Sequence, residues 1–133
     1  MHSSQTDGEF IQRFKECEIS AEEWSHEAHI RVACLYSKAF PFDEALSQIR
    51  SGIKRLNSVI GVRKRGYHET ITVFYLNLIF PRVREMKEWN WELFKKFNPE
   101  LFNPEMLYAH YSEELLNSTI AMGTFVEPDK IVK

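Results

Sequence analysis

Much is scarce in this sequence. Only two of its 133 residues, Cys17 and Cys34, are cysteines, and they form no C-x-x-C pair. That excludes a disulfide scaffold and makes a reducing cytoplasm the expected compartment. Five glycines, five prolines and the absence of any repeat exclude collagen-like and low-complexity chains. Non-polar runs are short: Val73-Phe74-Tyr75-Leu76 is far below the ~20 residues that span a bilayer, so no membrane association is expected. The first residues, Met1 to Gly8, lack the basic-then-apolar layout of a secretory signal. With 17 basic against 19 acidic residues and a net charge of −2, overall charge does not hold this chain to nucleic acid. No G-x-S-x-G, Walker loop, Rossmann glycine pattern or Cys-His nucleophile pair occurs, so nucleophilic catalysis has no evident actor.

What the chain does have is bulk. Hydrophobic residues make up 44%, including ten Phe, five Tyr and three Trp, enough for the core of one compact domain. Their spacing is helical. Phe10, Ile11, Phe14 and Cys17 give a short amphipathic helix over Glu9 to Glu18. Ser20 and Glu23 fit a capping box, which predicts a second helix from Ala21 to Ala39, ended by Phe40-Pro41. Asp43 is the expected cap of a third helix with the stripe Ala45, Leu46, Ile49, Ile53, Leu56 and Ile60, closed by Gly61. A basic loop, 62–66, leads into a fourth helix from Tyr67, apolar all round between Ile71 and Phe80 and therefore central. Pro81 is expected to kink or end it. Short helices are expected over 90–97, at Asn98-Pro99, at Asn103-Pro104 and over Ser112 to Leu116, with residues 124–133 an extended tail and 1–8 mobile. The fold class expected is an all-α, single-domain bundle of four main helices with short C-terminal helices.

On a wheel of ~100° per residue, Trp24, Ala28, Val32, Leu35 and Ala39 of the second helix form an apolar stripe. Glu22, His26 and His29, at i, i+4 and i+7, lie along one edge of it, with the small Ala33 in the same arc. On the fourth helix His68, Thr72 and Tyr75 share a face, next to Tyr67 and Glu69 and just after Arg63-Lys64-Arg65. If the two helices are neighbours, His26, His29 and His68 meet in one pocket.

Three imidazoles and a carboxylate suit zinc or ferrous iron. The H-E-x-H spacing is not the metalloprotease H-E-x-x-H, and the single E-x-x-H is not a ferritin-like di-iron set. The candidate roles are therefore these. His26, His29 and His68 are metal ligands or acid–base groups; Glu22 and Glu69 tune them; Tyr67, Thr72 and Tyr75 orient a small-molecule ligand; Arg63 and Arg65 hold an anionic part of it. Metal-assisted hydrolysis or proton transfer is the matching chemistry. The bland alternatives stay open: edge histidines satisfied by hydrogen bonds, and Glu69 as an N3 carboxylate behind a Gly66 cap. His110 has no visible partner in sequence, and Trp89, Trp91, Phe94 and Phe97 read as core or as a binding lid. The competing functional class is a non-catalytic interaction protein or homodimer whose histidines are structural.

The segments Trp24-Ser25-His26-Glu27-Ala28-His29-Ile30-Arg31-Val32-Ala33, Tyr67-His68-Glu69-Thr70-Ile71-Thr72 and Val126-Glu127-Pro128-Asp129 resemble the signature of a family of small bacterial all-helical proteins. The likeness spans residues 9 to 130. It implies a stand-alone helical domain and carries no activity with it; its motif positions coincide with His26, His29, His68 and Glu69.

Overall fold

The structure, a computed structural model, describes residues 5–61 and 66–130. The helices are α1 (Asp7–Lys15), α2 (His26–Ala39), α3 (Phe42–Ile60), α4 (Glu69–Glu85), α5 (Trp91–Phe97), α6 (Glu105–His110), α7 (Glu113–Leu116) and α8 (Thr119–Gly123), with a 3-10 turn at Pro99–Phe102. No strand occurs among the described residues, so the chain is all-α. The first four helices carry the bundle and the short ones wrap its end. No described helix is long and apolar enough to cross a membrane.

Local chemistry sets the boundaries. Thr6 and Glu9 close a reciprocal capping box at the head of α1. The Arg31 guanidinium donates to the Gln5 carbonyl and to Asp7, and the Trp89 indole donates to the other Asp7 oxygen at 2.6 Å. These bonds hold residues 5–8 against α2 and the loop before α5, in the stretch expected to be mobile; residues 1–4 lie outside the described residues.

The second helix starts later than its sequence pattern suggests. Ser20 and Glu23 do exchange the two capping-box hydrogen bonds, but they close only one turn. Ser25 then takes an extended backbone, accepts from the Ala28 amide and opens α2 at His26. The resulting helix is buried almost all round, through Ala28, Ile30, Val32, Ala33, Cys34, Tyr36 and Ser37, so its burial is not the one-sided stripe of the wheel.

The α3 stripe buries Ala45, Ile49, Ile53 and Leu56 as expected, although Pro41 rather than Asp43 stands at its head. The helix closes at Gly61 with φ of 90°, the left-handed region where glycine is favoured. Gly52 on the same face seats the Phe14 ring of α1: a Cβ there would meet that ring at 2.3 and 2.5 Å.

Helix α4 is central as expected, with seven residues from Thr70 to Val83 buried, and it continues past Pro81 to Glu85 instead of ending there. Pro81 cannot donate to the Asn77 carbonyl, but both residues are exposed, so water can take the missing bond. Tyr111 donates to the Val126 carbonyl, Thr70 bridges the Thr124 carbonyl and the Val126 amide, and Asp129 accepts from Ser112. These bonds fasten the non-helical stretch 124–130 onto α4 and α6. Residues 131–133, like 62–65, lie outside the described residues.

Candidate functional site

Helices α2 and α4 are close neighbours, with α3 packed along both. Between them and α6 lies a cavity of about 530 Å³. Its floor is apolar: Ile30 and Ala33 from α2, Ile49 and Ile53 from α3, Ile71 and Ile79 from α4, Leu107 from α6. Its polar side chains are His26 and His29 at the head of α2, Thr72 and Tyr75 on α4 and Tyr108 on α6, with Trp24 and Pro104 completing the wall. A volume of a few hundred Å³, mostly apolar with a few converging polar groups, is the ordinary make-up of a small-molecule site.

Both imidazoles have one nitrogen tied to a backbone carbonyl. His26 donates from Nε2 to the Leu101 carbonyl at 2.9 Å, and His29 donates from Nδ1 to the Ser25 carbonyl at 2.8 Å. A carbonyl only accepts, so each bonded nitrogen carries the proton. Neutral His26 thus keeps Nδ1 as an acceptor, and neutral His29 keeps Nε2. The His26 ring meets the Tyr75 ring edge-on at 5.2 Å, and the His29 ring stacks on the Trp24 indole at 3.8 Å.

Lost hydration under that stack, then the nearby His26, push the His29 pKa down despite its bond to the Ser25 carbonyl. The residue as a whole is nonetheless exposed, and contact with water limits how far the shift can go. Burial, with Tyr108 alongside, pushes the Tyr75 hydroxyl up to about 12, so it remains a donor at neutral pH.

His68 stands apart from this group. It is the N-cap of α4: its Nδ1 accepts from the Ile71 amide at 3.2 Å, and Nε2 donates to the Leu116 carbonyl of α7 at 2.7 Å. Both ring nitrogens are committed to backbone, and the residue does not line the cavity, so the expected meeting of three imidazoles does not occur. Among the described residues no group of three or more His, Cys, Asp or Glu side chains is placed to hold a metal ion.

Glu69 lies at the first position of α4 rather than at N3. It takes two hydrogen bonds from Arg50, at 2.9 and 2.7 Å, and one from the Tyr67 hydroxyl at 2.7 Å. The Arg50 guanidinium, first of several causes, holds its carboxyl below the usual range. Tyr67 and Glu69 thus tie α3 to α4 and are not among the residues that line the cavity. Glu22, in the turn before α2, is exposed and lines a different, more polar cavity of about 540 Å³ with Arg13, Glu23 and Arg31. The reason is the late start of α2: Glu22 never joins the helix that carries the histidines. Arg63 and Arg65 lie outside the described residues.

Thr72 and Tyr75 do line the cavity beside His26 and His29, and Ala33 does leave space beneath them. Tyr108, Pro104 and Leu107 went unforeseen, because α6 is too short to show a helical period. Trp91 and Phe94 are core, whereas Phe97 is 67% exposed. His110 bonds its own turn, through Met106, and packs on Phe74.

No protein-family model, curated protein or solved structure matches this chain significantly. The resemblance to small bacterial helical proteins therefore rests on its motif residues alone. In space, the first two motif segments supply Trp24, His26, His29, Ala33, Ile71 and Thr72 to the cavity wall, and Thr70 of the second is bonded to Val126 of the third.

Proposed function

We propose that this chain is a cytoplasmic binding protein for a small, mostly apolar molecule. The ligand is held in the α2–α3–α4–α6 cavity with its polar end against His26, His29, Tyr75 and Tyr108. One observation carries the reading: the cavity is of ligand size and has an isoleucine-rich floor. Its two imidazoles and two phenols have a hydrogen-bonding position without a partner among the described residues. These positions are not among the buried polar atoms left without a partner, so a bound molecule would take the place of water at them. If the bound molecule reacts, the groups present suit proton transfer: a neutral imidazole can take a proton while a tyrosine hydroxyl steadies the oxygen that gains charge. Mass spectrometry of organic extracts from untagged protein tests the reading. A stoichiometric small molecule carried by the wild type and absent from Ala33→Leu, which fills the cavity, is expected; identical extracts from both proteins would refute it.

Zinc or iron is a second reading, favoured by the backbone carbonyls behind His26 and His29. Metal-binding imidazoles almost always donate their other N–H in this way. Such an ion would take two ligands from the protein and the rest from water or the bound molecule. Elemental analysis decides it: metal present in wild type and in His68→Asn but lost in His26→Ala supports this reading, and its absence from all three refutes it. A homodimer is the reading favoured by α5, where Leu93 and Phe97, four residues apart, are 41% and 67% exposed. It predicts a dimer in sedimentation equilibrium that Phe97→Asp dissociates, and a monomeric wild type would dismiss it.

A further inference from the structure

Taking the cavity as a ligand site, we infer that it selects an uncharged molecule carrying a hydroxyl or carbonyl on an apolar body, and rejects carboxylates and amines of the same skeleton. The inference follows from what surrounds the space. None of its lining residues is Asp, Glu, Lys or Arg. The neighbouring ionic groups are spent elsewhere: Arg50 on Glu69, Arg31 on Asp7, and Arg84 on the Ser37 and Phe40 carbonyls.

The polar atoms that remain are of two complementary kinds. His26 Nδ1 and His29 Nε2 accept, because their ring partners already donate to the Leu101 and Ser25 carbonyls. Tyr75 and Tyr108 hydroxyls can donate. A hydroxyl uses both kinds at once, and a carbonyl uses the tyrosines. A carboxylate could accept from the tyrosines and an ammonium could donate to the imidazoles, but among the lining residues the first finds no Lys or Arg and the second no Asp or Glu. Each would lose its hydration without a compensating charge.

The His29 ring does not supply the missing charge at neutral pH. The groups facing the imidazoles and the tyrosines are one another, with Trp24, Thr72 and aliphatic side chains, and loss of hydration favours the neutral His29 ring.

Isothermal titration with a matched set tests this: 4-phenyl-1-butanol, 4-phenylbutyrate and 4-phenylbutylamine, at pH 8, on wild type and Ala33→Leu, with Ile53→Phe as a second filled variant should the first not fold. The alcohol is expected to bind with a Kd on the order of 1 mM or tighter, as ~11 heavy atoms allow. The acid and the amine should bind about 10- to 100-fold more weakly, and the alcohol should lose its binding in the filled variant. An acid or amine that binds as tightly as the alcohol and is lost in the filled variant overturns the charge selection while leaving the ligand site standing. Acid binding that appears on addition of zinc overturns it too, in favour of a metal-assisted site. If none of the three binds, or if filling the cavity changes nothing, the ligand site itself falls and the selection with it.

Discussion

Replacing His68 separates a structural histidine from a functional one. The ring is 5% exposed and makes two backbone bonds, one capping α4 through the Ile71 amide and one reaching across to α7 through the Leu116 carbonyl. His68→Ala removes both. Loss of a side-chain N-cap costs about 1 kcal/mol, loss of a buried hydrogen bond about 1–2 kcal/mol, and the space left by the ring adds to these. The expected total is about 2–4 kcal/mol, which in a domain of this size lowers Tm by roughly 6–15 °C. His68→Asn keeps a capping oxygen but is too short for Leu116, so about half of that loss should return. Urea denaturation followed by circular dichroism reads both variants against wild type. Binding of 4-phenyl-1-butanol, measured well below the transition, should stay within about twofold, since His68 does not line the cavity. A His68→Ala protein as stable as wild type, or one that keeps its stability and loses binding, would refute the placement of this ring in the scaffold.

Gly52→Ala should destabilise by about 1 kcal/mol or more in the same assay: overpacking against the fully buried Phe14 ring outweighs the helix propensity gained, and Phe14→Leu in the same chain should relieve part of the loss. Arg50→Ala should cost about 1–2 kcal/mol at pH 7, because Glu69, with a side chain 13% exposed, loses its bidentate partner. The Glu69 pKa is depressed in the fold, so its contribution is present above the usual carboxylate value of 4.5 and lost as pH falls through the folded value; wild type and variant should converge in acid denaturation only below that depressed value. The His29 pKa is lowered from 6.5, so the unfolded chain binds its proton first and wild-type stability falls on acidification below about 6.5. His29→Gln should flatten that slope between pH 7 and 5, and an unchanged slope would place the titrating group elsewhere.

Long periodic segments were legible in the sequence because their burial is set by spacing. The α3 stripe and the all-round apolar α4 needed nothing beyond the 3.6-residue period. The head of α2 was misread for a reason visible in its atoms. Ser20 and Ser25 both cap a turn, and the sequence alone does not say which of two caps begins the longer helix. That slip of five residues put Glu22 on the wheel beside His26 and His29. The two histidines themselves were placed correctly on one side of α2 because both follow Ser25, where the period is unbroken. His68 was misassigned for a related reason: with Gly66 taken as the cap it falls inside the helix, whereas the ring itself is the cap. Tyr108, Leu101 and Pro104 come from the short C-terminal elements, whose positions are fixed by contacts with α2 and α4 rather than by any pattern of their own.

Isoleucine methyl NMR tests the central claim most directly. Ile30, Ile49, Ile53, Ile71 and Ile79 surround the cavity, while Ile11 and Ile120 lie outside its lining. Titration with 4-phenyl-1-butanol should move the first five methyl resonances together along one saturable curve and leave the other two in place. Shifts confined to Ile11 or Ile120, or none at all, would mean that the space between α2, α3, α4 and α6 is packing alone.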